Sequence, residues 1–202
     1  MIIFKNYNVR RFKHEKGIAL FFPGTGYTCR EELFKHIRNK LEKEGWTVVP
    51  LDYSAIPFKP IKTVAEAGDI ALGYTICALQ NKEIDKCEDV LFVSKSLGCI
   101  SALKYASLLN IYSKHVLLTP TKEALDQIST YTDIICAVIG DEDPLMNSQE
   151  LVNFGQEHEF PVLIKGQTGH SLKTENVEVT RQITSDIVAF VIDKIKKMSI
   201  KQ

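Results

Sequence analysis

The chain carries no surplus charge of either sign: 25 Lys and Arg balance 25 Asp and Glu. Without a basic excess there is no electrostatic footprint for nucleic acid or an anionic membrane. No apolar run approaches the roughly 20 residues that cross a bilayer. The five cysteines (Cys29, Cys77, Cys87, Cys99, Cys136) are odd in number, scattered, and form no C-x-x-C pair. That argues against a disulfide framework or a zinc site and for reduced, mostly buried thiols. Repeats, low-complexity tracts and linker-like stretches are missing too, so a single domain over 1–202 is expected. The opening Met1-Ile-Ile-Phe-Lys-Asn lacks the charged-then-apolar order of a signal peptide, and a cytoplasmic location is expected. There is no Walker-type loop. The Gly24-x-Gly26 pair would need a third glycine where Cys29 stands, and Asp52 has no support as the acidic partner of a dinucleotide site. His14, His36, His115 and His158 show no metal spacing and are expected at solvated surface or helix positions. No metal and no cofactor are expected.

What is present is a regular alternation. At 202 residues and 45% apolar content the chain can bury a sizeable core. Short β-branched runs predict strands at Ile18–Phe22, Trp46–Leu51, Val90–Ser94, His115–Leu118, Ile134–Ile139 and Pro161–Ile164. Between them, helical patterns cover Arg30–Glu44, Val64–Gln80, Leu97–Leu109, Lys122–Ser129 and Ser148–Glu157. A long helix closes the chain at Val177–Met198, with Ile183, Ile187, Phe190, Val191 and Ile195 on one face. Segment Ile2–Phe12 could add a short edge strand. Strands this apolar, each separated by a helix, predict a parallel sheet covered on both faces. In such sheets a site lies beyond the carboxyl ends of the strands, so the residues just after each strand carry the functional question.

Three of those strand ends carry chemistry. After the third strand comes Ser94-Lys95-Ser96-Leu97-Gly98, a small-x-Ser-x-Gly run leading into a helix. That is the pattern of a nucleophile elbow, a turn so tight that its flanking positions must be small. It makes Ser96 the candidate nucleophile. Ser94 is rejected for that role, because it lies within the strand end and Phe92 stands two residues before it. After the fifth strand comes Gly140-Asp141-Glu142-Asp143-Pro144-Leu145, and after the sixth Gly166-Gln-Thr-Gly169-His170-Ser171-Leu172. A serine hydroxyl needs a base, and His170 is the candidate. A carboxylate must orient the imidazole and stabilise the imidazolium. Asp143 and Asp141 both qualify by position, whereas Asp133 precedes its strand and falls at the wrong end of the sheet. The Leu97 backbone N–H, at the start of the helix after the elbow, is a natural donor to a developing oxyanion.

Taken together, Ser94-x-Ser96-x-Gly98, Gly140-x-x-Asp143-Pro144 and Gly169-His170-Ser171, in that chain order, resemble the α/β-hydrolase family from Ile18 onward. The resemblance implies a three-layer α/β/α fold with a mostly parallel sheet of about six or seven strands. Many members insert a cap after the strand that ends here at Leu118. Only one short helix fits between Thr119 and Tyr131, so this chain departs from them, and a fold without a cap domain and an open site are expected. The resemblance implies a serine hydrolase cleaving a carboxylic ester or thioester of a small substrate, with an acyl-enzyme on Ser96. It favours Asp143 as the acid, with Asp141 as the alternative. It also sets Pro23-Gly24 where many members have His-Gly, making the Thr25 amide the second oxyanion donor. Two rival functions stay open, a non-catalytic ligand-binding protein on the same fold and an acyltransferase using the same triad. The oligomeric state is open as well.

The chain departs from the family pattern in two further places. Ser94 replaces the first glycine of the elbow, which crowds the turn slightly. Lys95 beside the nucleophile is unusual; a solvated lysine at the rim is favoured over an anchor for a substrate carboxylate or phosphate. Tyr27, Tyr53 and Phe58, with Lys95, are the substrate-pocket candidates; packing of the loop after the second strand would explain Tyr53 and Phe58 equally well. Cys99 is expected to face the sheet as a small buried residue.

Overall fold

The computed structural model describes residues 16–198; the edge strand expected within Ile2–Phe12 lies outside them. Six strands, β1 (Gly17–Phe22), β2 (Trp46–Pro50), β3 (Val90–Lys95), β4 (Ser113–Leu118), β5 (Thr132–Gly140) and β6 (Val162–Lys165), alternate with helices. These are α1 (Glu32–Lys43), α2 (Val64–Leu79), α3 (Leu97–Leu108), α4 (Lys122–Leu125), α5 (Ser148–Glu157) and α6 (Val177–Met198). The strands form one parallel sheet in the order β2-β1-β3-β4-β5-β6.

Both faces of the sheet are apolar because both are covered. Side chains alternate along each strand, and each set meets its own helices. Ile18, Leu20, Phe22, Phe92, Leu117, Ala137 and Ile139 pack with residues of α2, α3, α4 and α5. Ala19, Phe21, Leu91, Val93, Val116, Leu118 and Val138 pack with Leu33, Phe34, Ile37 and Leu41 of α1 and with Ile183, Ile187, Val191 and Ile195 of α6. Each fully buried Leu, Ile or Phe contributes about 1.5–3 kcal/mol relative to exposure, which is what drives the three layers together.

Local chemistry sets the helix ends. The Thr63 hydroxyl caps α2 by accepting from the Glu66 N–H, and the Asn147 carboxamide oxygen caps α5 by accepting from Gln149 and Glu150. Gly45, at φ +89°, turns the chain after α1. Helix α4 is shorter than the Lys122–Ser129 span that periodicity predicts. Ser129 is held out of the helix by Thr132, whose hydroxyl donates to the Ser129 carbonyl at 2.7 Å while accepting the Ser129 N–H at 3.0 Å. With only α4 between β4 and β5, no cap is inserted there. Among the described residues no helix is long and apolar enough to cross a membrane.

The sheet order positions the site. From β1 the chain moves outward to β2, then returns to the other side of β1 as β3. The connections leaving β1 and β3 therefore head to opposite faces, α1 to one and α3 to the other. A crevice opens between their carboxyl ends, as it does wherever the direction of winding reverses in an open α/β sheet.

One histidine departs from expectation. His115, expected to be solvated, is fully buried in β4, against the Phe92 ring and with its Nε2 on the Ser113 hydroxyl at 2.9 Å. It lies in a strand flanked on both sides, where even a polar residue has no route to water. Burial pulls its pKa down to about 3. Between that value and the ordinary 6.5, the unfolded chain binds a proton that the folded chain refuses. His115 therefore costs the fold about 1.4 kcal/mol for each pH unit below that ordinary value. Urea unfolding from pH 7 to 4 is expected to show wild type losing stability faster than His115→Leu; parallel curves would contradict this.

Candidate active site

The β3–α3 turn holds Ser96 at φ 53° and ψ −122°, a region a side-chain-bearing residue adopts only under constraint. The constraint is visible on both sides. A Cβ on Gly98 would lie 2.3 Å from the Phe22 carbonyl oxygen and 2.6 Å from that of Pro23, so only glycine lets α3 start against the end of β1. A Cβ on Gly24 would lie 3.1 Å from the Ser96 Cβ, so the loop after β1 runs directly beside the serine. Ser94 fits the elbow's first small position by turning its hydroxyl into the sheet, where it donates to the Val116 carbonyl at 3.2 Å. Cys99 is fully buried beneath it, as expected.

Ser96 stands at the N-cap of α3, yet its hydroxyl makes no capping bond. Its Oγ lies 2.7 Å from His170 Nε2 instead. As the first residue of α3, Leu97 has an N–H with no intrahelical acceptor, beside Ser96 and on the positive end of the helix dipole.

His170 Nδ1 sits 2.8 and 3.0 Å from the two Asp143 carboxylate oxygens. A carboxylate only accepts, so Nδ1 carries the proton and the Nε2 lone pair faces the Ser96 hydroxyl. The Asp143 side chain is fully buried, and its Oδ1 also accepts the Leu145 N–H at 2.9 Å. Burial holds the His170 pKa below its ordinary value; the Lys95 charge adds to this, and Asp143 works against it.

Asp141 turns elsewhere, accepting the Thr168 N–H at 3.2 Å. It braces the loop that carries His170 rather than the imidazole itself. A Cβ on Gly140 would lie 2.1 Å from the Thr168 carbonyl oxygen, so a glycine is what allows the β5 and β6 loops to meet. The Glu142 N–H donates to that same carbonyl at 3.0 Å.

The other sequence-derived candidates separate. Thr25 lies exposed at the tip of the turn from Gly24 to Tyr27, which the Tyr27 N–H closes on the Gly24 carbonyl. Tyr27 is half-buried, with its ring 5.0 Å from the Lys95 ammonium and 5.9 Å from that of Lys173. Tyr53 belongs to the core: its hydroxyl shares a buried network with Thr75 Oγ1 at 2.7 Å and Ser101 Oγ at 2.9 Å, fixing the post-β2 loop to α2 and α3. Phe58 packs half-buried against that core.

Lys95 departs most from expectation. It is 2% exposed rather than solvated at a rim. The strand prediction stopped at Ser94, whereas β3 includes Lys95, paired in register with Leu118 of β4. Its place at the end of the apolar Val90–Val93 run, in a strand with neighbours on both sides, was the signal for its burial.

No protein-family model matches the chain, and no curated protein matches it significantly in sequence. Solved structures do resemble it. Est1E from Butyrivibrio proteoclasticus aligns at TM-score 0.62 with 14% identity, over 90% of this chain and 89% of its own. Mouse alpha/beta hydrolase domain-containing protein 10 aligns at TM-score 0.64 with 12% identity, over 94% and 93%. XC6422 from Xanthomonas campestris, a serine hydrolase without lid, aligns at TM-score 0.59 with 14% identity, over 90% and 81%. The chain thus has the cap-less α/β-hydrolase fold, and at these identities the likeness is one of fold.

The contact at Gly98 yields a direct test. Gly98→Ala is expected to cost about 1–3 kcal/mol in urea unfolding, because backbone must move to admit the methyl group. Gly73→Ala, on the exposed side of α2 with nothing within 4 Å, is expected to be neutral or to stabilise by up to about 1 kcal/mol.

Proposed function

We propose that this protein is a serine hydrolase that cleaves a carboxylic ester or thioester of a small substrate through an acyl-enzyme on Ser96. One observation carries the proposal. An unbroken hydrogen-bonded chain runs from the buried Asp143 carboxylate through His170 to the hydroxyl of a serine held on a strained turn. The chain order Ser96, Asp143, His170 on this fold, and the fold's likeness to a serine hydrolase without lid, support the same reading.

In the proposed reaction, His170 Nε2 takes the Ser96 proton as Oγ attacks the substrate carbonyl carbon. The carbonyl electron pair moves onto oxygen, where the Leu97 N–H and, from the loop beside Gly24, the Thr25 N–H donate to it. Asp143 stabilises the imidazolium that forms. The tetrahedral species collapses, the bond to the leaving oxygen or sulfur breaks, and that atom takes the proton from Nε2. Water, deprotonated by the same nitrogen, then attacks the acyl-enzyme and frees the acid and Ser96. Ser96 is half-buried and no cap is inserted after β4, which gives water a route to the acyl-enzyme and favours hydrolysis over transfer to another acceptor.

A panel of p-nitrophenyl esters and acyl thioesters of rising chain length tests this. Ser96→Ala and His170→Ala are each expected to lower kcat by about 10⁴-fold or more, and Asp143→Asn by on the order of 10⁴-fold, with the fold intact by circular dichroism. Undiminished turnover in the Ser96 and His170 variants would contradict the proposal. The base must be neutral to act, and the His170 pKa is held down. Activity is therefore expected to be lost as pH falls through a midpoint below the ordinary imidazole value. A midpoint above that value would contradict this part of the account.

A further inference from the structure

Lys95 is a buried ammonium that the proposed reaction does not use. It takes part in none of the ion pairs found among the described residues, the Asp143 charge reaching it only without contact, and a buried charge without a contacting partner is costly to keep. Its hydrogen bonds are committed on other sides. Nζ donates to the Thr119 hydroxyl at 2.6 Å and to the His170 backbone carbonyl at 2.7 Å, and it faces the Tyr27 ring at 5.0 Å. With two hydrogen bonds already made and the Tyr27 ring on a further side, Lys95 is poorly placed to anchor a substrate carboxylate or phosphate. Thr119 is itself held at φ 43°, an unfavourable conformation for a β-branched residue, at the end of β4 where the Ser96 N–H reaches the Leu118 carbonyl. The ammonium thus joins the residue before the nucleophile, the end of the neighbouring strand and the main chain of the base.

We propose that Lys95 is a positioning residue for His170, holding the histidine's main chain against the elbow so that the imidazole stays on the Ser96 hydroxyl. This rests on the serine-hydrolase reading of the site. The loop that carries His170 contains two residues at positive φ, Gln167 and Leu172, and no regular structure. Asp141 braces one side of it and Asp143 grips the imidazole. The Glu142 N–H and the Lys173–Glu31 pair hold the loop elsewhere, and the Lys95 bond adds an attachment at the main chain of His170 itself.

The charge has a separate consequence. The groups facing His170 are Asp143 from the β5 loop, Lys95 from β3 and Ser96 from the elbow. Lys173 lies in the same loop, paired with Glu31, and the Tyr27 ring lies 5.0 Å from the Lys95 ammonium and 5.9 Å from that of Lys173. Burial pulls the Lys95 pKa down to about 8, so its charge is present where the acid limb of activity is read. Positive charge there opposes protonation of His170, and removing it moves the His170 midpoint upward.

The tether and the charge can be tested separately. Lys95→Met removes both. Thr119→Val removes one acceptor and keeps the charge. The His170 midpoint is read by NMR titration of the imidazole, which needs no turnover, alongside kcat and KM for the best p-nitrophenyl ester. Lys95→Met is expected to raise the midpoint and lower kcat by about tenfold or more, with a smaller change in KM. Thr119→Val is expected to lower kcat several-fold with the midpoint near that of wild type. A folded Lys95→Met with unchanged midpoint and kcat would overturn the proposal. If Lys95→Met does not fold, an unchanged kcat in Thr119→Val overturns it. A wild type inert toward every ester and thioester, whose His170 midpoint still responds to Lys95, would sink the hydrolase reading and leave the Lys95–His170 coupling standing.

Discussion

The close approach of the β3–α3 turn to the end of β1 is the constraint on which the rest depends. Gly98 leaves room for the Phe22 and Pro23 carbonyls, Gly24 leaves room for Ser96, and the serine between them is forced to φ 53°. The strain at Ser96 is of the order of 1–3 kcal/mol. It persists because β3 lies between two fully paired neighbours in a core that cannot yield. What it achieves is directional. An N-cap serine would ordinarily spend its hydroxyl on its own helix; here the hydroxyl is turned to His170.

The two partners of Ser96 arrive on loops with little regular structure, and their placement depends on cross-bracing. Gly140 lets the β5 and β6 loops touch, Asp141 and Glu142 tie them together through Thr168, and Asp143 and His170 then meet across the gap. Lys95 completes the frame from the sheet side, reaching from the end of β3, next to Ser96, to the His170 backbone carbonyl. The supporting groups are a glycine contact, a carboxylate on a backbone amide and a buried ammonium. They account for how two connections without regular structure bring Asp143 and His170 within hydrogen-bonding distance of each other and His170 within that of Ser96.

Much of this was legible in the sequence, and what was missed has a common cause. Element type followed from hydrophobic period, and all six strands and six helices stand within a few residues of their predicted spans. Ser96, Asp143 and His170 could be proposed because each follows a strand, and the strand-end rule narrows the search to a few loops. Choosing between Asp141 and Asp143 needed the direction of each side chain, which spacing does not encode. Lys95 and His115 were misplaced for one reason. Residue type argued for solvent, whereas membership of a central parallel strand demanded burial, and strand position prevailed. Tyr53 was ambiguous until Thr75 and Ser101, 22 and 48 residues away in the chain, supplied its hydroxyl partners.

The central claim is that Ser96 is an activated nucleophile. Incubation with a fluorophosphonate, read by intact mass and peptide mapping on wild type and Ser96→Ala, tests it without knowledge of the substrate. The account predicts one adduct per chain, on Ser96, lost in the variant. A folded wild type that takes up no label, or that is labelled elsewhere and equally in Ser96→Ala, would contradict it.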